Sequence, residues 1–243
     1  MTLKDINLQE LKELKEIVYQ ANMLLSEYGL VIHTWGNVSA ISKDRSYYVI
    51  KPSGVSYKTM KPDDMVVMDL NDNVISGTLN PSTDMPTHSI LYKTFDKIQA
   101  IVHTHSPHAV AFAQAGKDIP CFGTTHADNF FGPVPCARDL TKEEINSEYE
   151  KNTGKVIIEK FKLNNLDYAA TPACLVKEHG PFCWSLKNAI DASNLALTLE
   201  EVAKMAIYTM QVDNKATEAK KELQLKHYYR KHGPNAYYGQ NKK

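Results

Sequence analysis

The sequence has no C-x-x-C pair, no long apolar run and no surplus of either charge, and each absence narrows what the chain does. Its four cysteines, Cys121, Cys136, Cys174 and Cys183, are scattered over 243 residues. That density argues against a disulfide framework and for reduced thiols in or near the core of a cytoplasmic protein. No apolar stretch approaches the ~18 residues of a membrane span. The N-terminal Met1-Thr2-Leu3-Lys4-Asp5 is polar and carries no apolar signal core, so no membrane partner is expected. Lys+Arg and Asp+Glu balance at 28 each, which argues against a broad nucleic-acid-binding surface. Internal repeats, low-complexity tracts and linkers are also missing.

What is present centres on Ala100-Ile101-Val102-His103-Thr104-His105-Ser106-Pro107. Ile101 and Val102 favour a strand, and alternate strand residues share a face. His103 and His105 therefore project together, able to share one metal or simply to hydrogen-bond to neighbours. Ser106 and Pro107 read as a helix N-cap and first helical residue. A second apolar run, Ala173 to Val176, leads to His179 and then to Gly180, a glycine that permits a turn. Three histidines with a free fourth position suit a catalytic Zn²⁺, whereas a structural zinc site would use four protein ligands.

The rest of the chain gives the frame. Leu8, Leu11, Leu14, Ile17, Val18, Ala21, Leu24 and Leu25 mark an amphipathic helix over 7–27, ended by Gly29. Strands are predicted at Leu30-Val31-Ile32, Tyr47 to Ile50, Met65 to Met68 and 169–176, with Asn71-Asp72-Asn73 as a hairpin turn. Residues 33–39 and Lys51-Pro52-Ser53-Gly54 read by spacing as turns, although Lys51, Ser53 and Gly54 are also the parts of a small anion site. Local rules make Thr83 or Asp84 the cap of a helix reaching Phe95, with His88 structural inside it. The alternative for Asp84 is a carboxylate beside a metal, and backbone N–H groups at this helix start could hold an anion. A short helix over 109–115 stops at Gly116. Gly123 to Gly132 read as a polar, glycine-flanked loop suited to a site. Thr141 opens a helix through a capping box; this helix carries Glu150 and breaks near Gly154, before a further helical stretch over 156–161. Long helices follow over 187–211 and 215–232. The fold expected is a single α/β domain with a central, mostly antiparallel sheet flanked by helices on both faces.

Taken in order, Thr34-Trp35-Gly36-Asn37-Val38-Ser39, Lys51-Pro52-Ser53-Gly54, Pro81-Ser82-Thr83-Asp84, His103-Thr104-His105-Ser106, Gly123-Thr124-Thr125-His126-Ala127-Asp128, His179-Gly180-Pro181-Phe182 and Ala236-Tyr237-Tyr238-Gly239-Gln240 resemble the sugar-phosphate 4-epimerases of the class II aldolase/epimerase superfamily. The likeness runs from about residue 7 to the C-terminus. It implies one Zn²⁺ per subunit held by His103, His105 and His179 with Asp84 beside it. It also implies a phosphate pocket of Asn37, Lys51, Ser53, Gly54, Ser82 and Thr83, which overturns the turn readings above. Thr83 stands where the family usually has a second serine, and Asp84 where the class II aldolases have Glu. Thr124 is expected to help bind substrate, and Asp128 and Tyr238 to exchange protons at the C4 oxygen on opposite faces. Glu150 and His227 are candidates for supporting roles.

The resemblance further implies a fourfold-symmetric homotetramer acting on a sugar phosphate, with Tyr238 and the tail (about 233–243) completing the neighbouring subunit's site. The implied reaction is zinc-assisted retro-aldol cleavage and re-addition, inverting C4 of a ketopentose phosphate in pentose breakdown. Two other readings stand beside it. One is a class II aldolase that releases its fragments. The other is a non-catalytic scaffold on the same fold, against which the three retained histidines argue.

Overall fold

The computed structural model describes residues 6–233 and 235–239. Eight strands form one sheet: β1 (Asn37–Ile41), β2 (Tyr47–Ile50), β3 (Val66–Asp69), β4 (Val74–Ser76), β5 (Ala100–His103), β6 (Cys136–Ala137), β7 (Ala173–Val176) and β8 (Gly180–Ser185). Their order is β4-β3-β2-β1-β5-β8-β7-β6, and every pairing is antiparallel except β6 with β7. The expected α/β class, with a mostly antiparallel sheet between helices, is what is observed.

Most of these strands are buried on both faces, so they read as continuous apolar runs rather than as alternating patterns. Alternate residues still serve different cores. Ala100 and Val102 of β5 join one core with residues of α1 (Leu8–Glu27), α3 (Pro107–Ala115) and α7 (Ala189–Val212). Ile101 faces the other, which is closed by Leu91 and Phe95 of α2 (Met85–Thr94 and its C-cap) and by Ile157 and Phe161 of α6 (Tyr149–Leu163). His103 continues the Ile101 face and reaches the rim of that second core.

Several local expectations are corrected. Leu30-Val31-Ile32 is not a strand. The chain turns out of α1 through Gly29 (φ 68°) and again at His33 (φ 56°), and Leu30 is tied back by its N–H to the Leu25 carbonyl. The strand begins later, at Asn37, inside the segment that spacing assigned to a turn. Gly180 does not make the turn after β7 but opens β8, and Glu178 (φ 65°) turns the chain instead.

Gly154 does not break a helix. It lies inside α6, where a Cβ would come 2.3 Å from Ile90 Cγ2 and 3.2 Å from the Thr87 carbonyl oxygen, so glycine is what lets α2 and α6 touch. The 123–132 segment holds a short helix, α4 (Thr124–Ala127), and the Thr141 capping box opens only a four-residue helix, α5 (Lys142–Ile145). The last helix, α8 (Lys221–His232), starts later than its sequence pattern suggested, and the β7 strand starts at Ala173. Residues 240–243 of the expected tail, including Gln240 of its motif, lie outside the described residues, as does residue 234.

Candidate metal centre and phosphate pocket

The site is assembled by strand register. Asn37 of β1 sits opposite His103 of β5, and Phe182 of β8 sits opposite it on the other side. Phe182 stacks on the His103 ring with centroids 4.2 Å apart. The His103 Nδ1–H donates to the Pro181 carbonyl at 2.9 Å, which fixes the tautomer and turns Nε2 outward. The strand stops at His103, yet the sharing of one face holds: His105 Nε2 lies 3.0 Å from His103 Nε2. His179, delivered by the turn between β7 and β8, completes a set whose ligand atoms lie within 4.8 Å of one another. Burial, with repulsion from His103 and His105, pushes the His179 imidazole down to about 3. Burial lowers His105 as well. Neutral imidazole is the form that binds a metal.

Asp84 occupies the N-cap position of α2, but its side chain makes no capping bond. It accepts a 2.7 Å hydrogen bond from Asn37 Nδ2 and lines the cavity with the three histidines. The cap reading is thereby corrected. Burial alone would raise this carboxyl; the surrounding imidazoles and the Asn37 amide hold it below the usual range. Among the described residues, the buried Asn37 Oδ1 has no partner. Three imidazoles, one carboxylate and a spare amide oxygen around one opening fit a divalent metal and an oxygen-rich ligand.

One cavity of about 390 Å³ joins this nest to the loops read as an anion site, with Asn37, Lys51, Ser53, Gly54, Ser82, Thr83, Asp84 and Glu150 all in its wall. The two loops are held edge to edge. Pro52 bridges Pro81, the Ser53 N–H donates to the Asn80 carbonyl, and the Ser82 N–H donates to that of Lys51. Gly54 takes φ 66° at the lip. Lys51 is buried, and its ammonium reaches only the Thr34 and Pro52 carbonyl oxygens, each at 3.2 Å, and the Tyr57 ring. Among the described residues it has no carboxylate partner. Desolvation pulls its pKa down to about 8. A buried cation without a counter-ion is poised to take an anion.

Thr124, Asp128, His227 and Tyr238 lie elsewhere and line no part of this cavity. Asp128 follows α4 and is clamped by α8: Arg230 donates to both carboxylate oxygens (2.9 and 2.6 Å) and His227 to Oδ1 at 3.0 Å. Burial would raise Asp128, but these bonds and the charges of Lys231 and Arg230 hold it low. The Tyr238 ring lies under Arg230 and Lys231, at 4.9 and 4.6 Å, and remains largely exposed. His88 is structural as expected: it is fully buried and bonded through Nδ1 to Ser39 Oγ.

Sequence reasoning missed Arg230, whose role shows only when α8 folds across Asp128. It also missed Tyr149, which lines the metal cavity from the start of α6. No local pattern marks either.

An eight-stranded sheet with this nest at the β5–β8 rim defines a family. Residues 16–207 match the Class II Aldolase and Adducin N-terminal domain, and the chain belongs to that family. At closer range, it is 59% identical over 234 residues to a protein of Mycoplasma pneumoniae named "Probable L-ribulose-5-phosphate 4-epimerase UlaF", across 96% of this chain and 97% of that one. Among solved structures, an L-fuculose 1-phosphate aldolase superposes with TM-score 0.73 at 26% identity, over 88% of this chain and 93% of its own. Another, from Glaciozyma antarctica, reaches TM-score 0.73 at 16% identity over 93% and 84% of the two chains, a likeness of fold. No helix among the described residues is long and apolar enough to cross a membrane.

Proposed function

We propose that the chain interconverts L-ribulose 5-phosphate and D-xylulose 5-phosphate by inversion at C4, as a cytoplasmic Zn²⁺ enzyme. The observation that carries this is a single cavity holding a three-histidine nest, a carboxylate and a buried lysine with no carboxylate partner among the described residues. The 59% identical relative supports the choice of substrate.

The chemistry follows from the substrate. The C4 hydrogen is not acidic, because C4 is not adjacent to the C2 carbonyl. Cleavage of C3–C4 avoids its removal. The C4 hydroxyl gives up its proton, the C3–C4 electron pair passes to the three-carbon fragment as an enediolate, and glycolaldehyde phosphate forms. That aldehyde turns over, and re-addition to its other face gives the epimer. His103, His105 and His179 would hold a divalent metal, which would supply Lewis acidity to stabilise the enediolate charge.

The chain's own residues do the rest. Lys51, Ser53, Gly54, Ser82, Thr83 and Asn37 hold the phosphate, so the aldehyde rotates without leaving. Asp84 orients ligands at the metal. Asp128 and Tyr238, with Thr124 and His227 beside them, exchange the proton at the C4 oxygen. Because these four groups line no part of the cavity within one chain, we assign them to the site of a neighbouring copy in a homotetramer, with Glu150 at the junction. Arg230 helps hold Asp128 ionised, the form able to accept a proton.

The test is an assay of zinc-loaded protein with L-ribulose 5-phosphate, following D-xylulose 5-phosphate and free glycolaldehyde phosphate together. Xylulose phosphate with little free aldehyde is expected. Mainly free aldehyde would make the chain an aldolase, and neither product would refute the substrate.

A further inference from the structure

The three histidines are not fixed in the same way. His103 is oriented by a backbone carbonyl, that of Pro181, which no side-chain substitution removes. For His179 the one partner that Nδ1 has among the described residues is a side chain, the Tyr149 hydroxyl at 3.5 Å. The Tyr149 ring also lies nearly parallel to the imidazole, at 26° and 6.1 Å between centroids.

Tyr149 is itself held firmly. It is the first residue of α6. Its carbonyl accepts from Thr153 Oγ1 at 3.0 Å, and the next carbonyl, of Glu150, accepts from Thr87 Oγ1 on α2. Gly154, one turn on, removes the Cβ that would keep the two helices apart. The helix that places Asp84 and the helix that places Tyr149 are thus locked together over the cavity.

We propose that Tyr149 is a positioning residue for the metal: its hydroxyl oxygen accepts the Nδ1–H of His179, fixing the tautomer that leaves Nε2 free to coordinate. The hydrogen bond is long at 3.5 Å; a metal at Nε2 would make Nδ1 the obligatory donor to it. The proposal rests on the reading of the three histidines as a metal site.

The experiment is metal affinity, measured by chelator competition with Zn²⁺ on the tetramer-forming full chain, for wild type and Tyr149→Phe. The variant keeps the ring and its stacking, and removes only the hydroxyl. A Zn²⁺ affinity about tenfold weaker is expected, within the range for lost outer partners of metal-bound histidines, with the thermal midpoint of the metal-free protein unchanged. Equal affinity would overturn the role of Tyr149 alone. Failure of the wild type to bind one Zn²⁺ per chain would overturn the metal site and the role together. Should Tyr149→Phe not fold, ¹⁵N-imidazole spectra of zinc-loaded wild type decide. A His179 Nδ1–H protected from exchange supports the assignment; one exchanging freely with water overturns it.

Discussion

The two clusters of polar residues differ in how they are built. The histidine nest and the loops beside it sit on strand ends, on the turn between β7 and β8 and on the start of α2; His103 is buried and held by sheet register and a backbone carbonyl, while His105 is exposed. The Asp128 cluster sits at the end of a four-residue helix and on α8, and is held by charge: a bidentate arginine, one histidine and a lysine gather on its carboxylate, and His232 bonds its backbone carbonyl. The first cluster lies within one chain, with Tyr149 and Glu150 in its wall. The second holds Asp128 and Tyr238, which line no part of that cavity. On the function proposed above, the difference teaches that rigid binding chemistry is stored in the sheet, while proton chemistry is carried on a docked element and would need a second copy to meet the substrate.

Mixing inactive variants tests this division most severely. Tyr238→Phe and Asp128→Asn should each lose about 10²–10⁴-fold in kcat while keeping their metal, and His103→Ala should lose metal and activity together. Subunit exchange between Tyr238→Phe and His103→Ala should then restore activity, because some sites regain both halves. No recovery, with exchange verified, would place both halves in one chain.

Lys51 gives the next effect. Its pKa is depressed by burial to about 8, so the charged form needed for phosphate prevails below that pH. Substrate affinity should fall as pH rises through about 8, and Lys51→Met should lose both the affinity and this dependence, as read from KM against pH. Stability moves the other way. Between about 8 and the ordinary value of 10.5 the unfolded chain binds more protons, so stability of the ligand-free protein rises with pH there. Below about 8 the folded protein carries a buried charge, and Lys51→Met should be more stable by about 2 kcal/mol, measured by chemical denaturation near neutral pH.

Glu178 supplies the smallest effect. Its left-handed turn costs roughly 1–2 kcal/mol for a residue with a Cβ, so Glu178→Gly should change stability by less than about 1 kcal/mol, relief of strain being offset by a freer unfolded chain. Zinc affinity should be unchanged. A large loss of affinity would mean that the glutamate side chain, and not only the backbone turn, serves the binding cluster.

Much of the first cluster was legible in the sequence. His103 and His105 share a face by strand alternation alone, and the apolar run before His179 marked a strand. What sequence rules misjudged were positions where tertiary packing overrides local chemistry. Asp84 has the makings of a cap and does not cap, because Asn37 and the imidazoles claim its carboxylate. Gly154 has the look of a helix breaker, and is instead the residue that admits Ile90. Gly180 has the look of a turn, but Glu178 takes the strained angle two residues earlier. The phosphate loops were ordinary turns by spacing; only the resemblance picked them out, because a buried lysine without a partner cannot be seen before the chain is folded around it. Arg230 and Tyr149 left no trace in local pattern, since Arg230 reaches Asp128 across more than a hundred residues and Tyr149 reaches His179 from a helix to a distant turn.

The pairing of Asn37 with His103 also limits where this chain tolerates change in length. Adding one residue within Asn37–Ile41 would swing the amide to the opposite face of the sheet and carry it away from Asp84, since side chains alternate. Adding one to the exposed hairpin at Asn71–Asn73, at the far edge of the same sheet, leaves that alignment intact. Insertions and fusion points therefore belong at the β3–β4 end, and the strands flanking the histidines form a stretch whose residue count is fixed.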